Sequence, residues 1–208
     1  SPPFLVTQGL ANILHSAAKI GVLPRAGLTK AIFNSFIPNI KYMVDQGKPQ
    51  EISQCAWAYA TLGDRETGGS STEFLSYLNQ FPLRGTTDAA TQAVGNICWA
   101  CATLGLKLNN CEAYFYNVNK VSKWLVENAK PQEISNTVWA FGQLLITRDN
   151  KELFENMNRP EIIQKMMAYG KPKEISNIAL AYAKLDIKDH KAYFEAMNKH
   201  AFKMINNG

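Results

Sequence analysis

The sequence predicts an all-α chain, built as an α-solenoid of about five helical-hairpin repeats of ~40 residues each. Two observations carry this expectation. The first is a phrase written three times, as KPQEISQ at 48–54, KPQEISN at 130–136 and KPKEISN at 171–177. The second is that each phrase opens a longer helical pattern, EISQCAWAYATLG, EISNTVWAFGQLL and EISNIALAYAKLD, with weaker copies AVGNICWACATLG from Ala93 and GLANILHSAAKIG from Gly9. Aligned on the polar fourth residue, the copies fall at Asn12, Gln54, Asn96, Asn136 and Asn177, in steps of 42, 42, 40 and 41 residues. The units run approximately over 7–46, 48–87, 88–128, 129–169 and 170–208, as one array, and no strand pattern interrupts them.

Each unit opens with a helix, A. In the fourth copy Ile134, Val138, Phe141 and Leu145 recur at helical spacing and build one apolar stripe. Pro131 suits the first helical position, where its missing N–H would be unpaired anyway. Glu133 suits the positive end of the helix dipole, and Lys130, preceding proline, is held outside the helix. A second helix, B, repeats an apolar pair at Phe33/Phe36, Leu75/Leu78, Phe115/Val118, Phe154/Met157 and Phe194/Met197. Pro38 and Pro160 then break the pattern, which fits a kinked B or a short third helix, C. Gly47 and Gly170 read as C-terminal caps before the next Lys-Pro. In the second copy DRETGGSSTEF and FPLRGTTDAATQ read as longer surface connections.

Composition bounds the rest. The 208 residues carry a formal net charge of +5 and a pI near 9.0, compatible with a polyanionic partner without demanding one. No apolar run reaches bilayer length, so membrane insertion is not expected. Four cysteines are too few for a secreted disulfide scaffold and suit a reducing or organellar interior. The opening SPPFLV is expected to belong to a mature or excised chain whose targeting segment is absent. There is no phosphate-cradling glycine loop, no metal-binding histidine pair and no nucleophile elbow, so neither catalysis, a cofactor nor a metal is expected. Cys98-Trp-Ala-Cys101 has the redox or zinc spacing, but its cysteines align with Ala56/Val138 and Tyr59/Phe141, which are packed positions.

KPQEISNTVWAFGQL resembles the core of the octotricopeptide-type repeats of algal and protist organelle proteins, whose units join a Pro-Gln-Glu-led helix carrying Asn-x-x-Trp-Ala to a second helix with Leu-Phe. RAP-domain and FAST-kinase-like proteins carry similar arrays. The resemblance spans nearly the whole chain and is strongest at Glu51–Gly63 and Glu133–Leu144. It implies an organellar α-solenoid, of a mitochondrion or plastid, that binds RNA in maturation, stability, translation or ribosome assembly. The competing expectation is an adaptor subunit holding protein partners in a large assembly such as an organellar ribosome, a respiratory complex or a photosynthetic complex.

Two rows of residues are candidates for either role, and two more are expected to be structural. Seven residues beyond the register mark, Lys19, Thr61, Thr103, Gln143 and Lys184 vary from copy to copy on one helix face, as residues that touch a ligand or simply face solvent would. Lys48, Lys130 and Lys171 precede helix A and would track phosphates if that helix lines the concave face. The register-mark residues Asn12, Gln54, Asn96, Asn136 and Asn177 are expected to tie neighbouring copies together by hydrogen bonds. Trp57, Trp99 and Trp139, replaced by His15 and Leu180 in the outer copies, are expected in the core because leucine substitutes for them.

Overall fold

A computed structural model describes residues 3–21, 26–67, 69–79 and 88–206, and among these the chain is all-α. In chain order the helices are α1 (Pro3–Ile20), α2 (Ala26–Ser35), α3 (Ile40–Gln46), α4 (Pro49–Thr67), α5 (Ser70–Leu78), α6 (Asp88–Thr103), α7 (Glu112–Lys120), α8 (Ser122–Asn128), α9 (Pro131–Gln143), α10 (Lys151–Met157), α11 (Pro160–Tyr169), α12 (Pro172–Lys184) and α13 (Lys191–Asn206). Helix A of the five copies is α1, α4, α6, α9 and α12. Each packs along the next: α1 on α4, α4 on α6, α6 on α9 and α9 on α12. The second layer holds the B helices and, as separate elements, the C helices α3, α8 and α11, with α8 against α10 and α11 against α13. Pro38 sits in a 3-10 turn and Pro160 at the first turn of α11, so both prolines start a new helix rather than kink an old one.

The repeated phrase is a helix start with its own hydrogen bond. Lys130 is extended (φ −72°, ψ 157°), and its backbone N–H donates to the Glu133 carboxylate at 2.9 Å. The same bond joins Lys48 to Glu51 at 2.9 Å and Lys171 to Glu174 at 2.8 Å. Glutamate therefore does more than face the dipole: it satisfies a donor that the helix leaves orphaned, as the acidic half of a capping box does.

Helix A also ends in one way. Gly21, Gly63, Gly105, Leu145 and Asp186 occupy equivalent places, and all have positive φ (83°, 76°, 60°, 53° and 52°). Behind them Leu106, Ile146 and Ile187 donate their N–H to the carbonyls of Cys101, Phe141 and Tyr182, the six-to-one bond of a Schellman motif. The glycines at the ends of the C helices work differently. Gly47 and Gly170 are extended rather than left-handed, and Ala129 adopts the same conformation in the same place. A positive φ is thus not the requirement there; each residue donates its N–H back to the preceding turn, to Met43, Met166 and Leu125.

The second copy corrects one expectation. DRETGGSSTEF is not a surface loop: α4 breaks at Gly63 but continues to Thr67, and α5 begins at Ser70. Its hydroxyls are buried and paired, with Thr67 Oγ1 at 2.6 Å from Ser71 Oγ, Ser70 Oγ donating to the Thr67 carbonyl and Ser71 Oγ to that of Tyr59. Polar composition suggested exposure, but hydroxyls that bond to nearby backbone can be buried at little cost. Of FPLRGTTDAATQ, residues 81–87 lie outside the described residues and Asp88 onward is the start of α6.

Two devices join one copy to the next. In the core, the B-helix phenylalanine meets an aromatic of the following A helix edge-on: Phe33 with Tyr59, Phe115 with Phe141 and Phe154 with Tyr182, at 4.9, 5.1 and 5.0 Å between ring centres. At the B helices, Asn79 Oδ1 accepts the backbone N–H of Tyr114 at 3.0 Å, and Asn119 Oδ1 that of Leu153 at 2.8 Å. Neither α7 nor α10 has a side-chain cap from its own N-cap residue, so the preceding copy supplies one. Asn158 continues the row, accepting from the Tyr182 hydroxyl and donating to the Asp189 carbonyl.

Two measurements check these assignments in chemical denaturation. Leu145→Gly is expected to raise stability by about 1 kcal/mol, by relieving left-handed strain at a residue that is 58 % exposed. Asn119→Ala is expected to lower it by about 1–3 kcal/mol, because a buried N–H loses its acceptor, while Asn119→Asp retains most of it.

Candidate functional site

Helix A has four faces with different duties. In α9, Ile134 and Phe141 point into the second layer, Thr137 and Ala140 meet α6, Ser135 and Gly142 meet α12, and Gln132, Asn136, Trp139 and Gln143 are left on the open side. The A helices lie side by side in the same direction: a Cβ on Gly95 of α6 would stand 3.0 Å from the Glu133 backbone of α9, and one on Gly142 would stand 2.7 Å from Ala181 of α12. The open sides therefore merge into one surface of four rows.

The first row is Gln8, Gln50, Gln92, Gln132 and Lys173, all exposed. The second is the register mark, exposed at Asn12 and half-buried at Gln54, Asn96, Asn136 and Asn177. The third is His15, Trp57, Trp99, Trp139 and Leu180, and the fourth is the varying set Lys19, Thr61, Thr103, Gln143 and Lys184. No acidic residue occupies any of these rows.

One expectation changes here and one is refined. The register-mark amides make no side-chain hydrogen bond among the described residues, so they do not tie the copies together; the tie is made by Asn79, Asn119 and Asn158 on the other layer. Trp57, Trp99 and Trp139 pack against the core as expected, but as partly buried side chains that leave a minor part of each ring on the open side beside the amides. Leu180 takes their place in α12, where it is 43 % exposed. The first row is absent from the sequence-based expectations, although it stands four residues before every register mark and its second, fourth and fifth members lie inside the repeated phrase.

Rows are coupled where long side chains reach a neighbour. Lys184 Nζ donates to Gln143 Oε1 at 2.5 Å across α12 and α9. The His15 ring lies 4.8 Å from that of Trp57, and its Nδ1 is buried without a partner. Burial first, and the nearby Lys19 charge second, hold its pKa below the usual imidazole value. Lys48, Lys130 and Lys171 are exposed at the starts of α4, α9 and α12, as expected of residues before Pro; Thr61 and Thr103 are exposed near the opposite ends of α4 and α6.

Elsewhere the side chains do other work. Cys98 and Cys101 are buried in α6, as are Cys55 and Cys111, and all four thiols are free. Burial raises each thiol pKa, that of Cys111 to about 11. Among the described residues no group of three or more His, Cys, Asp or Glu side chains stands close enough to hold a metal ion, and no helix is long and apolar enough to cross a membrane. A groove of about 490 Å³ between α11 and α13, floored by Ile163, Met167 and Ala196, lies in the second layer away from the four rows. Compared with known proteins, the chain matches no family model, no curated protein and no solved structure.

The burial of the thiols sets an expected outcome. In native protein at pH 8 an aromatic disulfide reagent should titrate fewer than one of the four cysteines within minutes, and all four after denaturation. Rapid native reaction of Cys98 or Cys101 would mean that α6 opens.

Proposed function

We propose that the five copies stack as one α-solenoid and that its open A-helix surface binds single-stranded RNA, without catalysis, in a mitochondrion or plastid. The observation that carries the reading is the pairing of register-mark amides, unengaged among the described residues, with partly exposed tryptophans in the adjacent row. A primary amide is both donor and acceptor and matches the edge of an unpaired base, while an aromatic face beside it offers a stacking platform. The varying fourth row places a different donor set, lysine, threonine or glutamine, beside each amide. Lys48, Lys130 and Lys171 bring positive charge to the helix starts, where they would meet phosphates.

The organelle and the role in transcript maturation, stability, translation or ribosome assembly come from the resemblance to octotricopeptide-type repeats. So does the expectation of RNA rather than DNA. The absence of acidic residues from the rows supports a polyanionic ligand, and the modest charge of +5 fits recognition through stacking and hydrogen bonds more than bulk attraction.

Filter binding of unstructured RNA oligonucleotides across a salt series tests the proposal. Affinity should fall with salt, and changing Lys48, Lys130 and Lys171 together to Glu should remove about 2 from the logarithmic slope, for about three phosphate contacts. An affinity that ignores both salt and the triple variant would overturn RNA binding by this surface. Recovery of the protein in stoichiometric amount with a nuclease-treated organellar complex would then favour the adaptor role.

A further inference from the structure

We infer that the junction of α9 and α12 on the open surface selects guanine, because Lys184 occupies the acceptor end of the Gln143 amide and leaves the pair rich in donors. This base preference rests on the single-stranded RNA reading of the open surface and adds to it the identity of one base. Among the described residues, one side-chain hydrogen bond joins two members of the four rows: Lys184 Nζ donates to Gln143 Oε1 at 2.5 Å.

The helix contact sets up the pair. α9 and α12 touch at Gly142, where a Cβ would stand 2.7 Å from the Cα of Ala181. Gln143 follows Gly142 directly, and Lys184 lies less than one turn beyond Ala181, so the close approach leaves the two long side chains within reach of each other. The equivalent residues of α4 and α6, Thr61 and Thr103, are exposed and make no hydrogen bond to each other.

The bond changes what Gln143 can read. A glutamine with both ends of its amide available pairs with adenine, Oε1 accepting from the N6 amino group and Nε2 donating to N7. At position 143 that mode is impaired, since Oε1 already accepts from Lys184 and an amino group brought to it would meet the ammonium charge. The groups left for a ligand are the two hydrogens of Gln143 Nε2 and the two remaining hydrogens of Lys184 Nζ. Guanine offers acceptors at both O6 and N7, which a pair of donors fits, whereas adenine and cytosine place an amino donor there and uracil offers O4 alone. One turn back on the same helices, partly buried Trp139 and Leu180, which is 43 % exposed, supply apolar surface for the ring of the base.

Filter binding of short oligocytidines carrying one central guanine or one central adenine tests the inference, with the ratio of the two affinities as the readout. In a uniform strand the single purine is free to take the register that suits it. Lys184→Met removes one donor and frees Gln143 Oε1, so the ratio of guanine to adenine affinity should fall about tenfold, the scale of one bidentate base contact. Gln143→Glu keeps an acceptor for Lys184 but has no N–H to give, and should weaken the guanine oligonucleotide about fivefold relative to plain oligocytidine. Lys184 is exposed and Gln143 half-buried on the open side, so helix content by circular dichroism should stay the same in both variants. If Lys184→Met lowers all affinities equally, as loss of a phosphate contact would, or if either variant leaves its ratio unchanged, the inference is overturned while RNA binding stands. Failure of the wild-type protein to bind any of the oligonucleotides overturns both.

Discussion

The closeness with which successive A helices lie side by side governs the rest of the molecule. It depends on small side chains at two places per helix, Ala11/Ala18 through Ser135/Gly142, seven residues apart and so on one flank. Helices this close share no space for a large side chain between them, and Gly142 stands where a Cβ would collide with Ala181. Once that spacing is set, the core residues of each helix A must meet the B helix of the copy before it. The aromatic pairs of Phe33 with Tyr59 and Phe154 with Tyr182 follow from this. So does the reach of Asn79 and Asn119 to the first turn of the next B helix.

The open surface is a by-product of the same constraint. With one flank given to each neighbour and one face to the second layer, helix A retains a single stripe, and parallel stacking aligns the stripes of all copies. A residue type that recurs in that stripe becomes a row, and a residue that varies becomes a series of different groups at one depth. The amides of the second row recur at a regular place on successive helices and make no side-chain hydrogen bond among the described residues.

Much of this was legible in the residues. Pro131 and Glu133 marked a helix start, and the structure adds only that Glu133 takes the Lys130 N–H. The apolar stripe of Ile134, Val138 and Phe141 and the alignment of Phe115 with Phe154 located the core. The left-handed ends were written in the alignment as Gly21, Gly63 and Gly105, but Leu145 and Asp186 in the same column hid them, since propensity alone does not place leucine at positive φ. The hydroxyls of Thr67, Ser70 and Ser71 misled because composition does not say whether a polar group finds a partner. For the tryptophans, replacement by leucine signalled the packing on the core that the structure shows, without saying how much of each ring stays on the open side.

By itself, then, the sequence determined that this protein is helical, where its A helices start and that the same unit recurs, because period and capping are local properties of a chain. Which repeated asparagine holds the copies together and which faces outward was decided only by the tertiary structure. Asn136 and Asn119 are equally regular in the sequence, yet one lies open in a row of amides and the other is buried against the N–H of Leu153. The difference comes from which helix flank a neighbour occupies, and that depends on how two helices distant in sequence approach each other.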